Sequence, residues 1–144
     1  MNNKTLLRKA TDLAIIAHNN QVDKAGKPYI LHPLRVMQAC IPDYKAMIVA
    51  ILHDVLEDAP ALTEKVYKLL PTPLYEALSH ITRLADEKYK EYIYRVSLNE
   101  IAAYVKIQDL RDNMDLRRIN GVTKKDIRRT VKYAEALAYL LGVK

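Results

Sequence analysis

The chain has 144 residues, half of them apolar, a formal net charge of +6 and one cysteine, Cys40. That is enough for a single domain over 1–144 with a real core, and it excludes a disordered chain and an intrachain disulfide. The longest apolar run, Ala46 to Leu52, is far too short to cross a bilayer.

Tyrosine supplies all the aromatic content, glycine is scarce, and Ala, Leu, Lys, Arg and Glu abound without β-branched alternation. This composition predicts an all-α fold. Much of the positive charge lies in the last third (Arg117, Arg118, Lys124, Lys125, Arg128, Arg129, Lys132). With no nucleic-acid motif there, the charge points to a small phosphorylated ligand rather than to nucleic acid. The N-terminus leads into an amphipathic pattern instead of a signal peptide, so a cytoplasmic protein with no membrane partner is expected. Oligomeric state cannot be read from the sequence.

In chain order, apolar spacing predicts a first helix over 5–18 with Thr5 able to cap it, ending at His18. A polar loop follows from Asn19 to Pro28. A second helix opens near His32-Pro33, proline suiting the first turn, and Ile41-Pro42-Asp43 breaks it. Asp43 caps a third helix that is expected to run unbroken to about Glu57. A short helix spans Thr63 to Leu70. The next has Thr72 as cap and Pro73 at its first position and reaches about Leu84. Asp86 to Tyr94 is helical in period, and Leu98 to about Met114 forms another helix. Asn120-Gly121 is a turn, Thr123 and Asp126 suggest a capping box, and the last helix stops near Gly142. About eight helices around one core are expected, with a site between helices.

The chemistry concentrates in His53-Asp54-Val55-Leu56-Glu57-Asp58, four titratable residues at the end of an apolar helix. An imidazole nitrogen beside a carboxylate is a donor pair for a divalent cation. Acids at a helix C-terminus oppose the macrodipole and need compensation, which a cation would supply. A second cluster, Lys106, Asp109 and Asn113, shares one helical face; it reads equally as a site or as a local Lys–Asp ion pair. His32, at a helix start, can point across to a neighbouring helix. His18 and His80 read as structural. Together His32, His53, Asp54 and Asp109 would form a site with two nitrogens, two oxygens and room for water. Glu57 and Asp58 could orient that water or move a proton. Lys24, Lys27 and Lys106 are available for phosphate charge. The implied reaction is metal-assisted hydrolysis of a phosphoester or phosphoanhydride.

The His-Asp pair with a distant Asp resembles the HD-domain metal-dependent phosphohydrolases. Ala17-His18 … Gln21 … Lys24-Ala25-Gly26-Lys27-Pro28-Tyr29-Ile30-Leu31-His32-Pro33, Leu52-His53-Asp54-Val55-Leu56-Glu57-Asp58 and Val105-Lys106-Ile107-Gln108-Asp109 … Asn113-Met114 are similar, in order, to three motifs of the hydrolase domain of Rel/SpoT-type alarmone enzymes. The resemblance covers about 5–140, and with no further domain following it suggests a stand-alone small alarmone hydrolase built as a single HD-domain helical bundle. It implies His32, His53, Asp54 and Asp109 as ligands of Mn²⁺ or another divalent metal, and Glu57 and Asp58 as the pair that activates water. It also implies Lys24 and Asn113 as nucleotide contacts. The implied reaction removes the 3′-diphosphate of guanosine 3′,5′-bis(diphosphate) or a related alarmone as pyrophosphate. The alternatives are another phosphorylated nucleotide as substrate, or a non-catalytic nucleotide-binding domain. The motif's base-stacking basic residue is Asp23 here, which could accept hydrogen bonds from guanine or from an adenine amine. In the third motif the usual Arg after the Asp is Leu110, and Asp112 replaces the usual His or Tyr.

Overall fold

The structure, a computed structural model, describes residues 1–143. Its elements are α1 (Asn3–Ala17), α2 (Leu31–Ala39), α3 (Tyr44–Leu52), α4 (Val55–Asp58), α5 (Thr63–Leu69), α6 (Thr72–Ile81), α7 (Tyr89–Ser97), α8 (Glu100–Asn113) and α9 (Lys124–Leu140), with 3₁₀ turns at Pro60–Leu62 and Leu116–Arg118. Among the described residues there is no strand, only an isolated bridge between Val22 and Pro28 that closes a loop. The all-α expectation holds. None of these helices is long and apolar enough to cross a membrane.

Helix α3 is the axis of the core. Every residue from Ala46 to Leu52 is buried, as expected of a helix apolar on all sides. Asp43 starts it by accepting the Ala46 N–H at 3.1 Å. Around it pack α1, α2, α6 and α8. Each contributes a buried stripe at helical spacing: Leu6, Ala10 and Ala14 from α1; Leu74, Ala77, Leu78 and Ile81 from α6. Two stripes change character at one end. The stripe of His32 and Val36 on α2, continued by Cys40 just past its end, begins with a histidine; on α8 the stripe Ala102, Val105 and Asp109 closes on an aspartate. Both polar ends meet the C-terminus of α3, where His53 follows Leu52. The core therefore positions the site by turning polar at one point.

Some boundaries differ from the sequence expectation. Asn2 caps α1, accepting the Thr5 N–H, so Thr5 lies inside the helix. Pro71 precedes α6 and Thr72 is already helical, with no side-chain cap. The helix expected over Asp86 to Tyr94 spans Tyr89–Ser97. Arg83 donates to the Glu87 carbonyl, Leu84 N–H donates to the Glu87 carboxylate, and Arg95 pairs with that carboxylate at 2.8 Å. These bonds hold 83–87 as a turn. The Thr123–Asp126 capping box is present in full.

The largest difference concerns the third helix. It does not run to Glu57. His53 N–H reaches only the Ala50 carbonyl, at 3.3 Å, and the His53 ring Nδ1–H donates to that same oxygen at 2.6 Å. The ladder stops there, and α4 restarts after Asp54. Successive side chains on a continuous helix diverge by about 100°. The break lets His53 and Asp54 face the same point.

Candidate metal centre

Four side chains from three places in the chain converge at this break. His32 Nε2 and His53 Nε2 lie 3.2 Å apart. Asp109 Oδ1 is 2.9 Å from the first and 3.2 Å from the second. Asp54 Oδ2 is 3.1 Å from His53 Nε2 and 3.7 Å from His32 Nε2. His32, His53 and Asp109 are buried and form a group with the spacing of metal ligands.

The protons test the fit. His32 Nδ1 donates to Asp112 Oδ2 at 2.6 Å, and His53 Nδ1 donates to the Ala50 carbonyl. Each ring nitrogen that faces away is thus committed as a donor, and both Nε2 lone pairs face the carboxylates and each other. That arrangement requires positive charge between them. Protons can supply it: burial acts to lower both histidines, but Asp54 and Asp109 override it at His53, and Asp109 and Asp112 at His32, so both are raised. A divalent cation supplies it better, because two nitrogens and two carboxylate oxygens are its ordinary donors.

The supporting contacts are equally specific. Asp109 is held well below the usual carboxylate range, because Lys106 and His53 outweigh its burial. Lys106 Nζ lies 2.7 Å from Asp109 Oδ2, and Asn113 Nδ2 donates to Oδ1 at 3.0 Å. Tyr29 donates its hydroxyl to Asp54 Oδ2 at 2.5 Å; burial and then Asp54 push the phenol far up, so it stays a donor. Asp112 accepts from Arg35 Nε at 2.8 Å while holding His32, and is lowered to about 2 by His32 and Arg35 against its own burial. Asp112, which departs from the motif that the sequence resembles, thus serves as the carboxylate behind His32. Arg35 stands three residues after His32, and Asp112 three after Asp109. Those spacings are the signal the sequence reading passed over.

Glu57 and Asp58, read from the sequence as one pair, are directed apart. Glu57 Oε1 accepts the Arg83 N–H at 2.7 Å and lines the cleft beside the histidines. Its carboxyl is raised, mainly by burial and further by Asp54, with the Arg83 bond opposing. Asp58 Oδ2 instead accepts from Gln21 Nε2 at 3.1 Å, and Gln21 Oε1 meets His18 Nδ1 at 2.8 Å. His18 is buried at the end of α1, outside the cluster. His80 is on the surface of α6, its Nδ1 bonded to the Glu76 carbonyl.

Two chambers flank the cluster and share Tyr29, His32, Asn113 and Tyr133. The first, of about 280 Å³, carries Asp23, Lys24, Arg35, Arg118 and Arg129 on its wall. Asp23 Oδ1 accepts the N–H groups of Ala25 and Lys27, both at 2.9 Å, so one of its oxygens is used in shaping its own loop. The second chamber, of about 200 Å³, carries Glu57, Arg83, Lys106 and Lys132. Lys106 faces it already paired with Asp109. Arg83 and Lys132 were not singled out as ligands from the sequence, although Lys132 belongs to the basic last third.

No family model matches the chain. The bifunctional (p)ppGpp synthase/hydrolase SpoT of Escherichia coli K12 is 30% identical over 95% of the chain, which covers 22% of that protein. The guanosine-3′,5′-bis(diphosphate) 3′-pyrophosphohydrolase of Aquifex aeolicus is 27% identical, again over 95% of this chain and 22% of the relative. The chain thus spans about a fifth of the length of these relatives. A solved structure of a metazoan ortholog of SpoT that hydrolyzes ppGpp and plays a role in starvation responses superposes with a TM-score of 0.77 at 24% identity, covering 94% of this chain and 85% of that one. The fold is the same.

Proposed function

We propose that this chain, a Rel/SpoT hydrolase-like domain, is a metal-dependent phosphohydrolase that removes the 3′-diphosphate of guanosine 3′,5′-bis(diphosphate) or a related alarmone as pyrophosphate. The observation that carries the reading is the convergence of His32, His53, Asp54 and Asp109 between two cation-lined chambers. The similarity to the SpoT and 3′-pyrophosphohydrolase relatives supports it.

In this reading His32, His53, Asp54 and Asp109 hold Mn²⁺, with other divalent ions able to take its place. Held there, such an ion would supply Lewis-acid activation of water and neutralise phosphate charge. Tyr29, Lys106 and Asn113 fix the carboxylates, and Asp112 fixes His32. The oxygen of the attacking water bonds to the phosphorus on the ribose 3′-oxygen, and that P–O bond breaks. One water proton leaves to Glu57 Oε2, the carboxylate oxygen not bonded to Arg83; the departing 3′-oxygen takes a proton from solvent, and Glu57 returns its own to solvent. Asp58 steadies the loop before α2 through Gln21. The nucleoside occupies the first chamber, against Lys24 and Asn113, with the free oxygen of Asp23 able to accept from a base amine. The protein acts on a soluble nucleotide in the cytoplasm, without nucleic acid.

The test follows the release of both pyrophosphate and orthophosphate by Mn²⁺-loaded protein from guanosine 3′,5′-bis(diphosphate), its adenosine counterpart and nucleoside monophosphates. Release from a 3′-diphosphate and none from the monophosphates is expected. Turnover of monophosphates alone would transfer the chain to another phosphohydrolase class, and no turnover of any would leave a binding domain.

Asp112→Ala tests the support behind His32. It should weaken Mn²⁺ affinity roughly 10–100-fold, as loss of a ligand's outer partner does. Calorimetric titration checks this; unchanged affinity would remove Asp112 from the site.

A further inference from the structure

We infer that Lys132 and Arg83, with the hydroxyl of Tyr89, form a seat for the terminal phosphate of the substrate's 3′-diphosphate, and so set the preference for a diphosphate over a monophosphate. The inference rests on the proposed reaction and names residues in it to which no role has been given above.

Three observations meet in the second chamber. Lys132 forms no ion pair among the described residues, and its surroundings are cationic: burial first, then Arg83, Lys106 and Arg129, lower its pKa. Arg83 donates its guanidinium only to the Glu87 carbonyl. Both stand over one ring, Lys132 Nζ at 4.2 Å and Arg83 Cζ at 5.4 Å from the Tyr89 centroid. Finally, the Tyr89 hydroxyl is buried and has no hydrogen-bond partner. All three residues line the chamber that holds Glu57 and the ligand residues.

Holding Lys132 beside Arg83 and Lys106 with no ion pair of its own disfavours the folded chain, and a buried hydroxyl without a partner does so too. An anion with several oxygens resolves both at once. The chamber adjoins the first through the shared Tyr29, His32, Asn113 and Tyr133 and is lined by His53, Asp54 and Asp109, so a substrate with its scissile phosphorus at the cluster has room to direct its second phosphate here. Charge-assisted bonds from Lys and Arg to that phosphate grip it. A 3′-monophosphate has no group that reaches them.

The experiment titrates inorganic pyrophosphate and, separately, orthophosphate into Mn²⁺-loaded wild type, Lys132→Leu, Arg83→Leu and Lys132→Arg by calorimetry. Pyrophosphate should bind about 10-fold more weakly to each leucine variant, with orthophosphate within about 2-fold and Lys132→Arg close to wild type. With guanosine 3′,5′-bis(diphosphate), Lys132→Leu should raise KM by a similar factor and change kcat little. Its thermal midpoint should equal or exceed that of wild type, since a repelled cation is removed; a structural lysine would give a lower one. Pyrophosphate affinity that is unchanged in both leucine variants, or that falls equally with orthophosphate affinity, overturns the inference. Failure of wild type to hydrolyse any 3′-diphosphate, with pyrophosphate binding still dependent on Lys132, sinks the proposed reaction and leaves the seat standing.

Discussion

Asp109→Ala should abolish turnover and Mn²⁺ binding and unfold the protein more easily by about 3–5 kcal/mol, the cost of leaving a buried partner charge uncompensated. Four groups depend on this carboxylate. Oδ1 faces both Nε2 atoms and accepts from Asn113, and Oδ2 is the counter-charge of Lys106, itself nearly enclosed against the Tyr92 ring. The depressed pKa fixes the pH dependence. Stabilisation from a carboxylate whose folded pKa is lowered is complete above its unfolded value, about 3.9, and is lost as pH falls through the folded one. The stability gap between wild type and variant should thus be full at neutral pH and close only in strong acid. Urea denaturation at neutral and acid pH reads it, and equal stability of the two proteins at pH 7 would refute the buried pair.

Glu57→Gln should lower kcat by about 10²–10⁴-fold, the usual contribution of a positioned general base, with metal binding intact. The Glu57 carboxyl is raised by burial and by Asp54, and one of its oxygens is held by the Arg83 amide. A base with a raised pKa loses function as pH falls through that value. The acid limb of the wild-type kcat profile should therefore lie above the ordinary glutamate value of about 4.3, and the glutamine variant should lack it. A variant that keeps both rate and acid limb would assign the proton to another group. Asp58, which is bonded to Gln21 and lines neither chamber, should affect rate much less than Glu57.

The sequence made the helices and the four convergent residues legible for different reasons. Asp43 and Thr123 announce helix starts by local hydrogen bonds, so a short window suffices. His32, His53, Asp54 and Asp109 lie in motifs whose residue types suit a cation. The break after Leu52 was hidden, because apolar spacing continues through Val55 and Leu56 without glycine or proline. It comes from the His53 ring bonding the Ala50 carbonyl, an event that depends on where that ring is held. Arg83 and Lys132 were hidden for a related reason. Each alone reads as a solvated cation, and only the meeting of the α6–α7 turn with α9 over Tyr89 brings them together. Asp112 showed the reverse: against the motif it looked like a loss, yet the fold uses it to hold His32.

The central claim is that the helix break at His53-Asp54 gathers one divalent-ion site with His32 and Asp109. Electron paramagnetic resonance of Mn²⁺ titrated into the metal-free protein tests it most directly. One tight site per chain is expected, lost in Asp54→Ala and His53→Ala while the helical circular dichroism is kept. Absence of a tight site, or one that survives both substitutions, would contradict the account.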